Sequence, residues 1–139
     1  MKKINKSTYW TLSFTWGIVM TLVGIIASIG LLFMGKKPER NQYGFVFKIG
    51  KGWGGLSLGP CAIVSEDASQ HTLNHEFGHS IQNCQYGFLM VAITLASVFR
   101  YHYRNWVKKH KPNQTLPPYD SIWFEGEASS LGNFYKDGE

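Results

Sequence analysis

The sequence predicts an α+β fold, with an N-terminal transmembrane helix over about residues 8–34 followed by one small domain of short antiparallel strands and three helices. Three observations carry that expectation. The run Thr8–Met34 contains no Asp, Glu, Lys, Arg or His. Two short segments between Tyr43 and Val64 are rich in aromatic and β-branched residues, and two stretches after Ser65 join helix caps to apolar residues at helical spacing. At 139 residues the chain holds at most one ordinary domain besides the membrane segment, which divides it into an anchor, 1–35, and a domain, 36–139.

A membrane-spanning helix needs roughly 20 predominantly apolar residues, and Thr8–Met34 supplies them. Tyr9, Trp10 and Trp16 gather toward one end as interfacial aromatics do, and Lys2, Lys3, Lys6 and then Lys36, Lys37, Arg40 close the flanks. A secretory signal has an apolar core of about 7–15 residues ending at a small-residue cleavage site. This run is longer and meets Phe33-Met34-Gly35-Lys36, so retention in the membrane is expected. Three lysines precede the run, whereas Lys36, Lys37, Arg40, Lys48 and Lys51 follow it, an excess that places the domain on the cytoplasmic side. Cys61 and Cys84 have no CxxC spacing and suit a reduced, part-buried pair. The net charge of +5 accompanies no nucleic-acid reader motif, so the basic residues read as topology markers and contacts to membrane lipids.

Tyr43–Ile49 reads as a strand, Gly50–Gly55 as a turn-rich break, and Leu56–Val64 as a second extended segment interrupted at Gly59-Pro60. The pair suggests a small antiparallel unit. Gly50, Gly52 and Gly55 match GxGxxG, but Pro60 and β-branched residues follow where a nucleotide-binding helix should open, so no nucleotide is expected.

Ser65-Glu66-Asp67 offers caps for a helix to about Tyr86, with Gly87 as its stop. Leu73, Phe77, Ile81 and Cys84 form its core stripe, while His75 and His79, one turn apart, share the roughly opposite face. This is HExxH, in which one helix presents two imidazoles to a zinc ion and the glutamate, Glu76, reaches the water beside it. The chain's own histidine and acid content makes such a match an accident on the order of one in a hundred. Gly78 costs a helix interior about 1 kcal/mol relative to Ala, which predicts a close approach by another segment. His71 lies two turns from His79 and reads as a solvated or supporting histidine.

A catalytic zinc site needs a third protein ligand. Gln82 and Gln85 stand where a metzincin would have Gly and His, leaving a carboxylate from among Asp120, Glu125, Glu127, Asp137 and Glu139. Lys111–Pro118 is a breaker loop, and Tyr119-Asp120-Ser121 caps a last helix to about Phe134 in which Glu125 and Ser129 share a face and Glu127 points roughly away.

His75-Glu76-x-x-His79 followed by Glu125-Gly126-Glu127-Ala128-Ser129 resembles the zincin metallopeptidases of gluzincin type. His75 to Gln82 is also similar to the HExGHxxQ helix of short bacterial membrane proteins. The resemblance implies His75, His79 and Glu125 as zinc ligands, Glu76 as general base, a polypeptide substrate, and two packed helices against a small sheet. It also implies a strand along the cleft that aligns substrate, a role for Gly54–Gly59. Ser129 stands where the family pattern has Asp.

Phe88–Phe99 is too short to span a membrane and reads as a buried core helix or re-entrant segment. Beyond it Tyr101, His102 or Tyr103 could stabilise an oxyanion, or form an interfacial aromatic belt. Two function classes follow: a membrane-anchored zinc metallopeptidase, and a non-enzymatic membrane interaction or assembly protein with a structural or vestigial metal site.

Overall fold

A computed structural model describes residues 2–136. It has mixed α+β architecture: helices α1 (Lys6–Phe14) and α2 (Ile18–Phe33), strands β1 (Glu39–Asn41), β2 (Gly44–Lys48), β3 (Gly55–Leu58) and β4 (Cys61–Val64), then helices α3 (Gln70–Tyr86), α4 (Met90–His110) and α5 (Trp123–Lys136). Short 3-10 turns at Gly87–Leu89 and Tyr119–Ser121 precede α4 and α5.

The single straight helix expected over 8–34 does not form. The run breaks after Phe14, and α1 and α2 meet at 92°. The cause lies in what the run contains besides apolar bulk. Tyr9 is fully buried and its hydroxyl meets Ser80, Ser13 faces Cys84, and Trp16 donates to the Gln85 carbonyl at 3.1 Å, so α1 docks along α3. Asn83 donates to the Gly17 carbonyl at 3.2 Å and pins the elbow. Hydropathy registers none of these polar attachments. The charge count across a straight span therefore no longer compares two sides of one helix. Among the described residues, one unbroken helical stretch is long and apolar enough to cross a membrane, Gln70–His110; α1 and α2 reach that length only when the bent pair is taken as one span.

The sheet order is β1-β2-β4-β3. Leu56–Val64 is a hairpin, β3 and β4, turning at Gly59 with φ 64°. The expected antiparallel pairing of the two extended segments is corrected in part, because β2 runs parallel to β4 with Val46 opposite Ala62. The chain leaving β2 passes β4's position and starts β3 on the outer edge, then folds back between them. That order leaves one side of β3 without a strand partner. Gly54 accepts from Ser65 N across the β4 ladder, so by strand alternation Gly55 and Ser57 turn their N–H and C=O groups toward the free side.

Helix α3 begins at Ser69, whose hydroxyl accepts from Thr72 N, and stops at Gly87 with φ 56°. Phe77, Ile81 and Cys84 belong to one core cluster, whereas Leu73 is half-buried and packs on Val46, Ala62 and Val64 of the sheet. The close approach expected at Gly78 is real: a β-carbon there would overlap the Ala128 carbonyl of α5, and one at Gly132 would overlap the Asn74 carbonyl. Two glycines, one on each helix, let the backbones of α3 and α5 touch.

Residues 88–99 do not form a buried core helix. Most open the long helix α4, where Met90 and Ile93 are buried but Leu95 and Phe99 are exposed.

Candidate metal centre

The α3–α5 contact brings His75, His79 and Glu125 together. His75 and His79 each place Nε2 beside Glu125 Oε2, at 3.0 and 3.1 Å, and the three ligand atoms lie within 4.8 Å of one another, a group that could hold a metal ion. Tetrahedral zinc with bonds of about 2.0–2.1 Å keeps its ligand atoms roughly 3.3 Å apart, close to the two nitrogen–oxygen separations.

The protons decide what fits there. Gln82 donates its amide to the Phe124 carbonyl and to Glu127, both at 2.8 Å, so its oxygen faces His79 Nδ1 at 2.7 Å and must accept. Ser129 spends its one hydroxyl proton on Asp120 at 2.7 Å and therefore accepts from His75 Nδ1 at 2.8 Å. Both imidazoles are thus N–H donors at Nδ1, and in their neutral forms both Nε2 atoms turn lone pairs onto an ionised, fully buried carboxylate. Three lone pairs directed at one point repel unless a cation sits among them or the rings take up protons. Accordingly His79, lowered by burial, is raised overall by Glu125 and Glu76, and Glu125, raised by burial, is held well below the usual carboxylate range by His75 and His79.

Glu76 is buried beside this point, and burial pushes its carboxyl up, although His79 and His75 pull the other way. Its Oε1 rests against Gly55 of β3, where a β-carbon would come within 2.6 Å, and its Oε2 has no hydrogen-bond partner. A cavity of about 380 Å³ opens over Glu76, His75 and His79, bounded on one side by Gly54–Ser57 and on the other by the α4 residues Thr94, Ser97 and Tyr101.

Other expected residues fall as follows. His71 is exposed on the cavity rim, its ring centroid 6.5 Å from that of His75. Tyr101 lines the cavity; His102 and Tyr103 are exposed and do not. Glu127 does not point away from α3: it accepts from Gln82 and from Tyr86 at 2.8–2.9 Å, one turn beyond the histidines. Asp137 and Glu139 lie outside the described residues. Sequence reasoning missed Ser97 and Tyr119, whose hydroxyls donate to the second oxygen of Glu125, and burial pushes Tyr119 up to about 12. No local pattern marks either, because each reaches Glu125 from a separate element.

No family model, curated protein or solved structure matches the chain.

Proposed function

We propose that the protein is a zinc-dependent metallopeptidase of the gluzincin kind. The observation that supports this most is the proton inventory of the site: two imidazoles committed as donors at Nδ1, with both Nε2 lone pairs and the Glu125 carboxylate aimed at one point. Two nitrogens and one oxygen suit zinc, and three protein ligands beside an open cavity are the pattern of a catalytic site, whereas structural zinc sites are closed by four. That difference favours the enzyme over a protein with a structural metal.

His75, His79 and Glu125 would hold the ion, which when bound lowers the pKa of water and polarises a carbonyl. Glu76 takes the proton from the attacking water and returns it to the leaving amine, a task suited to a carboxylate whose affinity for protons is raised by burial. An extended peptide aligns on the free edge of β3, accepting from and donating to the backbone of Gly55 and Ser57, and so lies across Glu76. Ser97 and Tyr119 hold the far oxygen of Glu125 and keep its other oxygen on the histidines. The free, buried thiols of Cys61 and Cys84 suit a reducing compartment and so favour the cytoplasmic side.

Metal analysis followed by turnover of an unstructured polypeptide, with and without chelator, tests this reading. Glu76→Gln is expected to keep stoichiometric zinc and to lose hydrolysis, and His75→Ala or His79→Ala to lose the zinc. Zinc retained in both histidine variants would overturn it.

A further inference from the structure

Helices α2 and α4 share an unusual arrangement. On α2, Leu22, Ile26, Ile29 and Phe33 recur at intervals of four, three and four residues, one stripe along the helix, and all are exposed, Ile26 at 70% and Phe33 at 89%. Entering and following α4, Phe88, Ala92, Leu95 and Phe99 repeat that spacing, and the same line continues through Tyr103 and Trp106; all six are exposed. The two helices adjoin, since Met20 packs with Met90 and Ile93 and the Trp16 ring meets Phe88 edge-on at 5.4 Å. A soluble monomer rarely leaves so much contiguous apolar surface in water.

We propose that these two stripes rest in the plane of a lipid bilayer and seat the domain there as a monotopic protein, with the cleft facing water. Three observations select lipid as the occupant. First, the ends of the stripes carry the aromatic-then-basic order of a membrane interface: Phe33 is followed by Lys36 and Lys37, and Trp106 by Lys109 and Lys111, with the Lys111 ammonium 5.7 Å from the Trp106 ring. These cations are complementary to anionic headgroups. Second, α2 is tied to the sheet along its inner face: a β-carbon on Gly24 would overlap the Leu58 carbonyl, Ser28 donates to Cys61 Sγ at 3.1 Å, and Leu31 packs on Phe47. Its 16 residues reach about 24 Å, short of a hydrocarbon core of roughly 30 Å, and it cannot tilt into a span without carrying the sheet into lipid. Third, Gln70–His110 is long enough to cross, but α3 is enclosed by the domain from Asn74 to Cys84, and α4 is apolar and exposed along one line only. A helix apolar on a single face lies on a membrane rather than through it.

The stripe has a counterpart. The cavity-lining residues Thr94, Ser97, Tyr101 and Lys108 of α4 sit about half a turn from Leu95 and Phe99, and the cavity rim is exposed and polar at His71, Asn105 and Asp120. One helix thus separates lipid from the cleft, so whatever enters the cleft does so from the aqueous phase.

The test uses the full chain bound to vesicles of phosphatidylcholine and phosphatidylglycerol, with an environment-sensitive fluorophore on single cysteines introduced as Leu22→Cys, Ile26→Cys, Phe33→Cys, Leu95→Cys or Asn105→Cys. The native thiols are buried, so labelling without denaturant is selective for the new ones. Circular dichroism confirms that each variant is folded. Equal, shallow quenching by lipid-borne quenchers at positions 22, 26, 33 and 95 is expected, with position 105 quenched only by aqueous iodide. Vesicle binding should weaken at least tenfold when phosphatidylglycerol is omitted. A label at 26 much deeper than those at 22 and 33 would show a span and overturn the proposal. Labels untouched by lipid quenchers, together with a concentration-dependent dimer in sedimentation, would assign the stripes to a second copy of the chain and overturn it equally.

Discussion

The two histidines of the centre stand one turn apart on one helix, yet they are held by opposite means. His79 is backed by Gln82, which is fully buried and anchored at three points, by the ring itself, the Phe124 carbonyl and Glu127. His75 is backed by Ser129 and then by Asp120, which is exposed at the start of α5's approach. Both relays end on a carboxylate and both commit Nδ1 as donor, so they are chemically equivalent. They differ in rigidity and in contact with water. One side of the site is built into the core, and the other depends on a turn at the surface.

The largest effect is expected where both sides fail together. Gly78→Ala drives a methyl into the Ala128 carbonyl, a backbone atom that cannot rotate away, and should cost about 3 kcal/mol or more in thermal or denaturant unfolding. Gly30→Ala, with open space around it, should be neutral or stabilising by up to about 1 kcal/mol. Glu125→Ala comes next: it removes the atom on which both relays converge and should abolish stoichiometric zinc, whereas Glu127→Ala should retain it with weakened affinity, because Glu127 acts through Gln82. Zinc lost from the Glu127 variant and kept in the Glu125 variant would reverse the assignment of the third ligand.

Titration separates metal-free from metal-loaded protein. Glu125 is depressed in the fold, so its stabilisation is present above its ordinary 4.5 and disappears as the pH falls through the folded value. His79 is raised, so its contribution is full below 6.5 and is lost as the pH rises through the folded value. Glu76 is raised by burial, so ionising it costs stability as the pH climbs above 4.5. Chelated protein should therefore be most stable near pH 4.5 and lose stability as the pH rises, more steeply above about 6.5, and added zinc should restore stability at neutral pH. Melting curves across pH, with and without zinc, check it; identical profiles would mean that the two imidazoles and the carboxylate do not share an ion.

The legible and illegible parts of the molecule divide along a physical line. The body of α3, its Gly87 stop and the His75/His79 pair follow from spacing within one segment, where helical geometry alone decides which side chains meet. The helix is capped by Ser69 and not by the expected Ser65-Glu66-Asp67, and Gly78 announces a close approach without naming Ala128 as its partner. The resemblance to gluzincins implies Glu125 rather than Glu127, and the structure brings Glu125 to the histidines. What was not legible arises between segments. Tyr9 and Ser13 sit in an apolar run that hydropathy reads as membrane, and only their partners on α3 turn it into a bent, docked pair of helices. The parallel register of β2 and β4 depends on β3 being carried to the outer edge, which no local pattern encodes. Ser97 and Tyr119 find Glu125 from separate elements.

The two relays can be compared directly. Gln82→Leu leaves His79 Nδ1 and the Glu127 carboxylate without their buried partner, and should weaken zinc binding by about 10- to 100-fold in competition with a chromogenic chelator. Ser129→Ala should weaken it by less, because water can reach the exposed side and accept from His75 in place of the hydroxyl. Equal losses would remove the distinction between a core-built and a surface-built support.

The smallest and most informative effect concerns the residue at 129. In the gluzincin pattern an aspartate would accept from the histidine directly, yet here Asp120 already supplies a carboxylate, 2.7 Å from the Ser129 hydroxyl. Ser129→Asp would place two carboxylates against each other, and their repulsion should offset the gain of a charged acceptor on His75, leaving zinc affinity within about threefold of the parent. Asp120→Asn removes that repulsion. In the Ser129→Asp background it should therefore raise affinity, whereas alone it should lower it slightly, a change of sign that independent sites cannot produce. Additive effects of the two substitutions would show that Asp120 does not act on His75 through Ser129.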